Sequence, residues 1–80
     1  MKIYDYQGKK NISGERIREA RLKRRLTQAD FAAQLQVAGI MIERDSISRI
    51  EIGTRFVADF ELMAMAKVLN VSVEWLLSEE

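Results

Sequence analysis

Two nearby carboxylates, Glu43 and Asp45, are the residues that an acid–base reaction in this chain would use. The sequence has no His and no Cys, which excludes an imidazole base, a thiolate nucleophile and an ordinary transition-metal cluster. A chain of 80 residues also leaves little room for a deep substrate pocket. We therefore expect a protein that is not an enzyme and that uses no metal and no cofactor.

Charged side chains are distributed unevenly along the sequence. The whole chain carries a net charge of only +1, from 13 basic and 12 acidic residues. Residues 1–29 contain nine basic and three acidic side chains, whereas residues 53–80 contain two basic and five acidic ones. The segment between them holds two basic and four acidic residues. This distribution allows one face of a nearly neutral domain to be basic.

The elements that must position these side chains are helices. Eighty residues make one domain, and without Cys or His no disulfide or zinc site can stabilise its thin core. A hydrophobic content of 48% with no Pro suits a compact all-α domain. No signal peptide and no apolar run of membrane-spanning length is visible, so we expect a cytoplasmic protein without membrane contact.

Helical periodicity and capping residues predict five short helices. They lie at about 13–25, 27–38, 44–51, 59–69 and from 72 onwards. The expected N-caps are Ser13, Thr27 and Ser72, and the expected helix-ending residues are Gly39, Gly53 and Asn70. Thr27 followed by Asp30 predicts a capping box at the start of the second helix. Residues 1–12 lack this periodicity and are expected to form an N-terminal arm.

Apolar side chains at helical spacing predict the core. The inward-facing set comprises Ile17, Ala20, Arg21, Leu22, Phe31, Ala32, Leu35, Ile47, Ile50, Leu62, Met65, Ala66 and Leu69. The remaining large side chains assigned to the core are Phe56, Phe60, Met63 and Trp75. Small Ala32 and Ala33 are expected to let the third helix approach the second closely.

Three separated motifs resemble one family of DNA-binding domains. Residues 26–35 read LTQADFAAQL, residues 46–55 read SISRIEIGTR and residues 66–76 read AKVLNVSVEWL. Together they resemble the Cro/repressor-type helix-turn-helix family, also called the XRE family. The resemblance covers about 13–77 and leaves 78–80 as a C-terminal tail. It implies a compact five-helix bundle of the lambda-repressor-like DNA-binding type.

The connection between the second and third helices departs from the family pattern. Aligned backwards from Ile47, Ile42 takes the place of the family's apolar turn residue and Glu43 that of its Ser/Thr cap. About five extra residues, 37–41, then remain. We interpret them as an extended loop, or an extra turn of the second helix, that packs Ile40 or Met41 against the core rather than as a binding element.

The resemblance implies that the third helix enters the major groove of DNA. The residues expected to contact bases are Arg44, Asp45, Ser48 and Arg49. An Arg can bond bidentately to guanine and an Asp can accept a hydrogen bond from cytosine. The alternatives remain open that Asp45 only stabilises the start of its helix and that the two Arg side chains are merely solvated.

Phosphate contacts and one structural ion pair also follow from the resemblance. The expected phosphate contacts are Thr27, Gln28, Ser46, Arg55, Lys9 and Lys10. For Gln28 a purely local role near the helix start is a nearly equal alternative. The arm residues Lys9, Lys10 and Asn11 could reach DNA, but a basic terminal stretch is more often merely solvated. Arg21 and Glu51 match a family pair that joins the first and third helices in a partly buried ion pair.

The function implied by the resemblance is sequence-specific regulation of transcription. We expect a repressor that binds a palindromic double-stranded operator as a homodimer, with half-sites about 10 bp apart. Trp75 and its neighbours match the region where the family often forms its dimer contact. No effector domain is expected after residue 77. The alternative is an antitoxin-like or other protein–protein interaction module on the same fold.

Overall fold

A computed structural model describes residues 5–79 of the chain. Its five helices are α1 (Gly14–Lys23), α2 (Gln28–Val37), α3 (Arg44–Ile52), α4 (Asp59–Leu69) and α5 (Val73–Leu76). The described residues contain no strand beyond an isolated bridge between Tyr6 and Lys9. The predicted all-α five-helix fold is confirmed. No helix within 5–79 combines the length and apolarity needed to cross a membrane.

The starts of the helices follow the predicted capping residues with one exception. Thr27 and Asp30 form the predicted capping box, with the Asp30 amide donating to the Thr27 hydroxyl at 3.0 Å. The hydroxyl of Ser72 accepts a hydrogen bond from the Trp75 amide at 3.0 Å. Ser13 stands at the N-cap of α1 as predicted, but the expected hydrogen bond to its hydroxyl is absent. The side chain of Asn11 accepts from the Gly14 amide instead.

The helix ends use the predicted left-handed residues. Gly39, Gly53 and Asn70 have φ values of 93°, 89° and 58°, in the conformation that glycine and asparagine adopt most readily. Arg25 also takes this conformation, with φ at 57°, after α1 has ended at Lys23. Each connection therefore turns sharply enough for a chain of this length to fold back on itself.

The core lies between the inner faces of the helices and contains most of the predicted side chains. Phe31, Leu35, Ile17, Ile47, Ile50 and Met65 are fully buried. Four core assignments were wrong because those side chains are exposed: Leu22, Phe56, Phe60 and Met63. Of the two small residues expected at the contact between α2 and α3, Ala32 is buried and Ala33 is exposed. Leu22 follows Arg21, and the inward position on α1 is taken by Arg21 because its guanidinium has a buried partner on α3. Phe60 and Met63 lie one turn apart on the outer side of α4.

The connection between α2 and α3 is an extended loop, residues 38–43, and not an extra turn of α2. Of the two residues expected to pack against the core, Ile40 does so and Met41 is 85% exposed. Ile42 is buried before the N-cap Glu43, and Ile47 is buried four residues after it. The two residues occupy the N′ and N4 positions of α3 within the same core, the positions at which a hydrophobic staple fixes how a chain enters a helix.

Candidate nucleic-acid interface

Helix α3 has one buried and one exposed side. Ile47 and Ile50 are fully buried, because this side packs against α1 and α2. Asp45 and Arg49, one helical turn apart, are exposed, and Ser48 beside them is half-buried. Three of the four predicted base-contacting residues therefore share a face of α3 that no described element covers.

Arg44 lies next to this face in the first turn of α3. Its guanidinium is 3.9 Å from the carboxylate of Asp45, and both side chains are largely exposed, at 65% and 91%. An exposed ion pair of this kind contributes little to stability, because water screens it. Both side chains can therefore leave this ion pair and hydrogen-bond to another molecule.

A buried network ties α3 to α1 and α2. Nε and Nη2 of Arg21 donate to the two carboxylate oxygens of Glu51 at 2.7 and 3.0 Å, which is the bidentate geometry of a strong pair. The two side chains are only 8% and 1% exposed. Nη1 of Arg21 donates to the carbonyl of Leu26 at 2.7 Å. The ion pair implied by the family resemblance is therefore present, and it fixes the last turn of α3.

The residues expected to contact phosphate at the start of α2 have protein partners as well. Nε2 of Gln28 donates to Oε1 of Glu51 at 3.1 Å, which leaves one N–H of the amide for another acceptor. The Thr27 hydroxyl is occupied as the cap of α2 but is exposed. Ser46 is half-buried in the first turn of α3. The Gln28 bond thus brings the start of α2 beside α3.

Arg55 is held by an acidic residue that the sequence did not single out. Its guanidinium donates to both carboxylate oxygens of Glu61 at 3.0 and 3.1 Å and to the carbonyl of Phe56. Glu61 also accepts from the Ala58 amide at 3.0 Å, which caps α4. The hydrogen bonds from Arg55 lower the pKa of Glu61, and its burial acts in the opposite direction. Arg55 therefore fixes the α3–α4 connection.

The two lysines of the predicted arm lie at the far end of α3. The Lys10 amide donates to the carbonyl of Gly53 at 2.8 Å. Its ammonium group pairs with Asp5 and lies 5.5 Å from the centre of the Phe56 ring. Lys9 has its ammonium 3.6 Å from the carboxylate of Glu15, in an exposed pair. Residues 1–4 of the arm lie outside the described part of the chain.

Asn11 is a further residue of this region, which sequence reasoning treated only as part of the N-terminal arm. Its side chain contacts α1, α3 and the connection after α3. The asparagine two residues before the predicted cap Ser13 was the available signal, because Asn is a strong helix-capping residue.

The residues considered for other chemistry are not assembled into a site. Glu43 and Asp45 are both exposed, without a described pocket around them. Within residues 5–79 no group of three or more His, Cys, Asp or Glu side chains is placed to hold a metal ion. The grouping that the fold does create is the exposed face of α3 with the start of α2 beside it.

Two consecutive helices packed on each other, the second with an exposed, polar and charged outer face, are the arrangement found in the helix-turn-helix class of DNA-binding domains. The sequence profile of the Helix-turn-helix family matches residues 17–76, and the chain belongs to this family, in its XRE branch. Fold and family together make it a DNA-binding transcriptional regulator. No curated protein sequence matches the chain.

Solved structures with this fold include two proteins of related sequence. The restriction-modification controller protein C.AhdI from Aeromonas hydrophila is 25% identical, with a TM-score of 0.69 over 80% of this chain and 86% of that one. The P22 c2 repressor, solved in complex with a synthetic operator, is 27% identical, with a TM-score of 0.73 over 88% of this chain and 98% of the repressor.

A third structure shows the fold alone. It is a hypothetical transcription factor from Neisseria, NHTF, at 22% identity and a TM-score of 0.74. The alignment covers 98% of this chain and 84% of that protein.

Proposed function

We propose that this protein is a repressor that recognises a specific double-stranded operator by placing the exposed face of α3 in the major groove. The observation that carries the proposal is the pairing of exposed Asp45 and Arg49 with buried Ile47 and Ile50 on the same short helix. The core thereby fixes the direction of side chains that can hydrogen-bond to base edges. The P22 c2 repressor, which has a similar fold, was solved with operator DNA, and this likeness supports the proposal.

Specific reading requires that the helix be held at a fixed register on the duplex. Phosphate contacts from Gln28 and Thr27 at the start of α2, and from Ser46, would set that register. The free amide N–H groups at the N-terminus of α2 also favour a bound phosphate. Further phosphate contacts would come from the opposite end of α3, next to Gly53, where Lys9, Lys10 and Arg55 lie.

We propose further that the protein binds a palindromic operator as a homodimer. Apolar side chains exposed on and before α4 support this, since Phe56, Phe60 and Met63 are 44%, 58% and 51% exposed. Trp75 of α5 is half-buried under the guanidinium of Arg16, 4.6 Å from the ring centre.

Symmetric binding would place the two half-sites about 10 bp apart. A regulator of this kind acts in the cytoplasm and catalyses no reaction.

Selection of bound sequences from a random duplex library tests the proposal. We expect enrichment of a palindrome and a linear fall of log affinity with log salt concentration, because bound phosphates release counterions. Failure to enrich any sequence, with no measurable duplex binding at low salt, would refute DNA recognition and favour an interaction module. The oligomeric state on the selected duplex, measured by analytical ultracentrifugation, tests the dimer separately.

A further inference from the structure

The side chain of Asn11 connects three parts of the molecule. Its Oδ1 accepts a hydrogen bond from the Gly14 amide at 2.8 Å and so caps α1. Its Nδ2 donates to the carbonyl of Ile50 at 3.0 Å and to that of Arg55 at 2.8 Å. The donor and acceptor groups of this side chain therefore have separate roles. The oxygen caps α1, whereas the nitrogen binds the end of α3 and the connection after it.

The contact between α1 and the end of α3 is unusually close. A Cβ atom at position 14 would lie 2.2 Å from the carbonyl oxygen of Ile50, so only glycine fits there. The neighbouring Lys10 amide donates to the Gly53 carbonyl at 2.8 Å. The carbonyls at the end of a helix lack regular partners within it, and here Asn11 and Lys10, in the segment before α1, donate to those of Ile50 and Gly53.

We propose that Asn11 is a positioning residue for DNA recognition, which fixes the direction of α3 by holding its C-terminal end to the start of α1. The inference rests on the proposed function of α3. Arg21 and Gln28 hold the carboxylate of Glu51 and so attach the last turn of α3 to α1 and α2. The Asn11 bonds on either side of Glu51, to Ile50 and Arg55, give the C-terminal end of α3 a second attachment, which limits the tilt of the helix.

Small tilts matter because base-edge hydrogen bonds tolerate little displacement. A helix of this length spans about 13 Å at 1.5 Å per residue, so a tilt of roughly 10° about its end moves the start by about 2 Å. Hydrogen bonds are made over a range of only about 0.5 Å. Loss of the second attachment should therefore weaken base contacts more than contacts to phosphate, for which exposed flexible side chains can adjust.

The substitution Asn11→Asp separates the acceptor role of this side chain from its donor role. A carboxylate still accepts from the Gly14 amide, but it cannot donate to the two carbonyls and repels them. The measured quantity is the ratio of affinities for the duplex selected by the unaltered protein and for a random-sequence duplex of equal length. We expect this ratio to fall by about 2-fold to 30-fold at a temperature where the variant is fully folded.

Two further variants exclude simpler explanations. Asn70→Asp introduces the same charge at the exposed end of α4 and should leave the ratio unchanged. Asn11→Ala removes the bonds without adding charge and should lower the ratio in the same direction, which keeps the test valid if Asn11→Asp does not fold. If Asn11 only stabilised the fold, its substitution would lower the melting temperature but leave the ratio of affinities of the folded protein unchanged. That result would overturn the proposal.

Amide hydrogen exchange in the free protein tests the attachment without DNA. The amides of Gly53 and Thr54 donate to the Ile50 and Arg49 carbonyls in the last turn of α3. We expect both to exchange faster in Asn11→Asp than in Asn70→Asp. Equal exchange would overturn the attachment itself. If the unaltered protein selects no duplex, the proposed function fails, and the exchange rates still decide whether Asn11 holds α3.

Discussion

The side-chain amide of Gln28 donates to Oε1 of Glu51 at 3.1 Å and so ties the first residue of α2 to the last turn of α3. The same carboxylate is held from the other side by Arg21. Glu51 therefore links α3, the helix proposed to contact bases, to Gln28, a residue expected to contact phosphate. A change in the Arg21–Glu51 pair should reach both parts of the interface.

Removing the Arg21 side chain should destabilise the fold strongly. In Arg21→Ala the Glu51 carboxylate, 1% exposed, loses its cationic partner and stays buried. Stranding a buried charge costs about 3–5 kcal/mol, which corresponds to a fall in melting temperature of more than about 10 °C for a domain of this size. Thermal unfolding followed by circular dichroism measures this, and DNA affinity should fall with it.

Two controls separate the ion pair from its surroundings. Arg18→Ala removes an exposed Arg from the same helix and should change stability by no more than about 0.5 kcal/mol. The double variant Arg21→Met with Glu51→Leu should recover much of the loss, because apolar residues replace a buried pair at little net cost. An unchanged melting temperature in Arg21→Ala would contradict the pairing.

The loop between α2 and α3 should tolerate change at one position and not at its neighbour. Ile42→Ala empties a site that is 2% exposed and removes the staple to Ile47, at a cost of about 2–5 kcal/mol. Met41→Ala truncates a side chain that is 85% exposed and should cost less than about 0.5 kcal/mol. Urea unfolding of both variants checks this contrast, and similar losses in the two would refute it.

Local sequence signals were sufficient for the helices and for most of the core. Some features depend on only a few neighbouring residues and could therefore be predicted from the sequence. They are the capping box of Thr27 and Asp30 and the left-handed conformations of Gly39, Gly53 and Asn70. The assignment of Phe60 and Met63 to the core failed for a physical reason. Periodicity identifies which side chains share a face, but in a domain this small some faces have nothing packed on them.

Contacts across the chain were harder to foresee. Arg55 and Glu61 are separated by a loop and the first turn of a helix. Their bidentate contact therefore follows no helical spacing that could be recognised in the sequence. The triple contact of Asn11 joins residues up to 44 positions apart. The Arg21–Glu51 pair was foreseen because of the family resemblance, since its two members lie 30 residues apart in sequence.

Acidification should remove the stabilisation that the Arg55–Glu61 pair contributes. Hydrogen bonds from Arg55 hold the pKa of Glu61 below its ordinary value of 4.5 in the folded protein. The unfolded chain therefore takes up the proton at higher pH than the folded chain. The contribution is fully present above pH 4.5 and is lost as the pH falls below that value through the folded pKa.

The variant Glu61→Gln isolates this contribution. It should be less stable than the unaltered protein at neutral pH, and its free energy of unfolding should fall less steeply on the acid side of 4.5. Urea unfolding at a series of pH values measures both. Asp59→Asn neutralises an exposed carboxylate in the same turn of α4 and should keep the acid dependence. Parallel curves for the unaltered protein and Glu61→Gln would contradict the assignment.

Replacing Arg49 should change which operators are bound without changing the fold. Arg49 is exposed on α3, so Arg49→Ala removes no core contact and should leave the melting temperature nearly unchanged. A bidentate Arg–guanine contact discriminates by about 1–3 kcal/mol, so preference at one operator position should relax by about that amount. Competition binding with single-base operator variants resolves the position, and Lys67→Ala, on the outer side of α4, should leave every preference intact. Uniform weakening on all sequences would instead make Arg49 a phosphate contact, because phosphates are the same at every base pair.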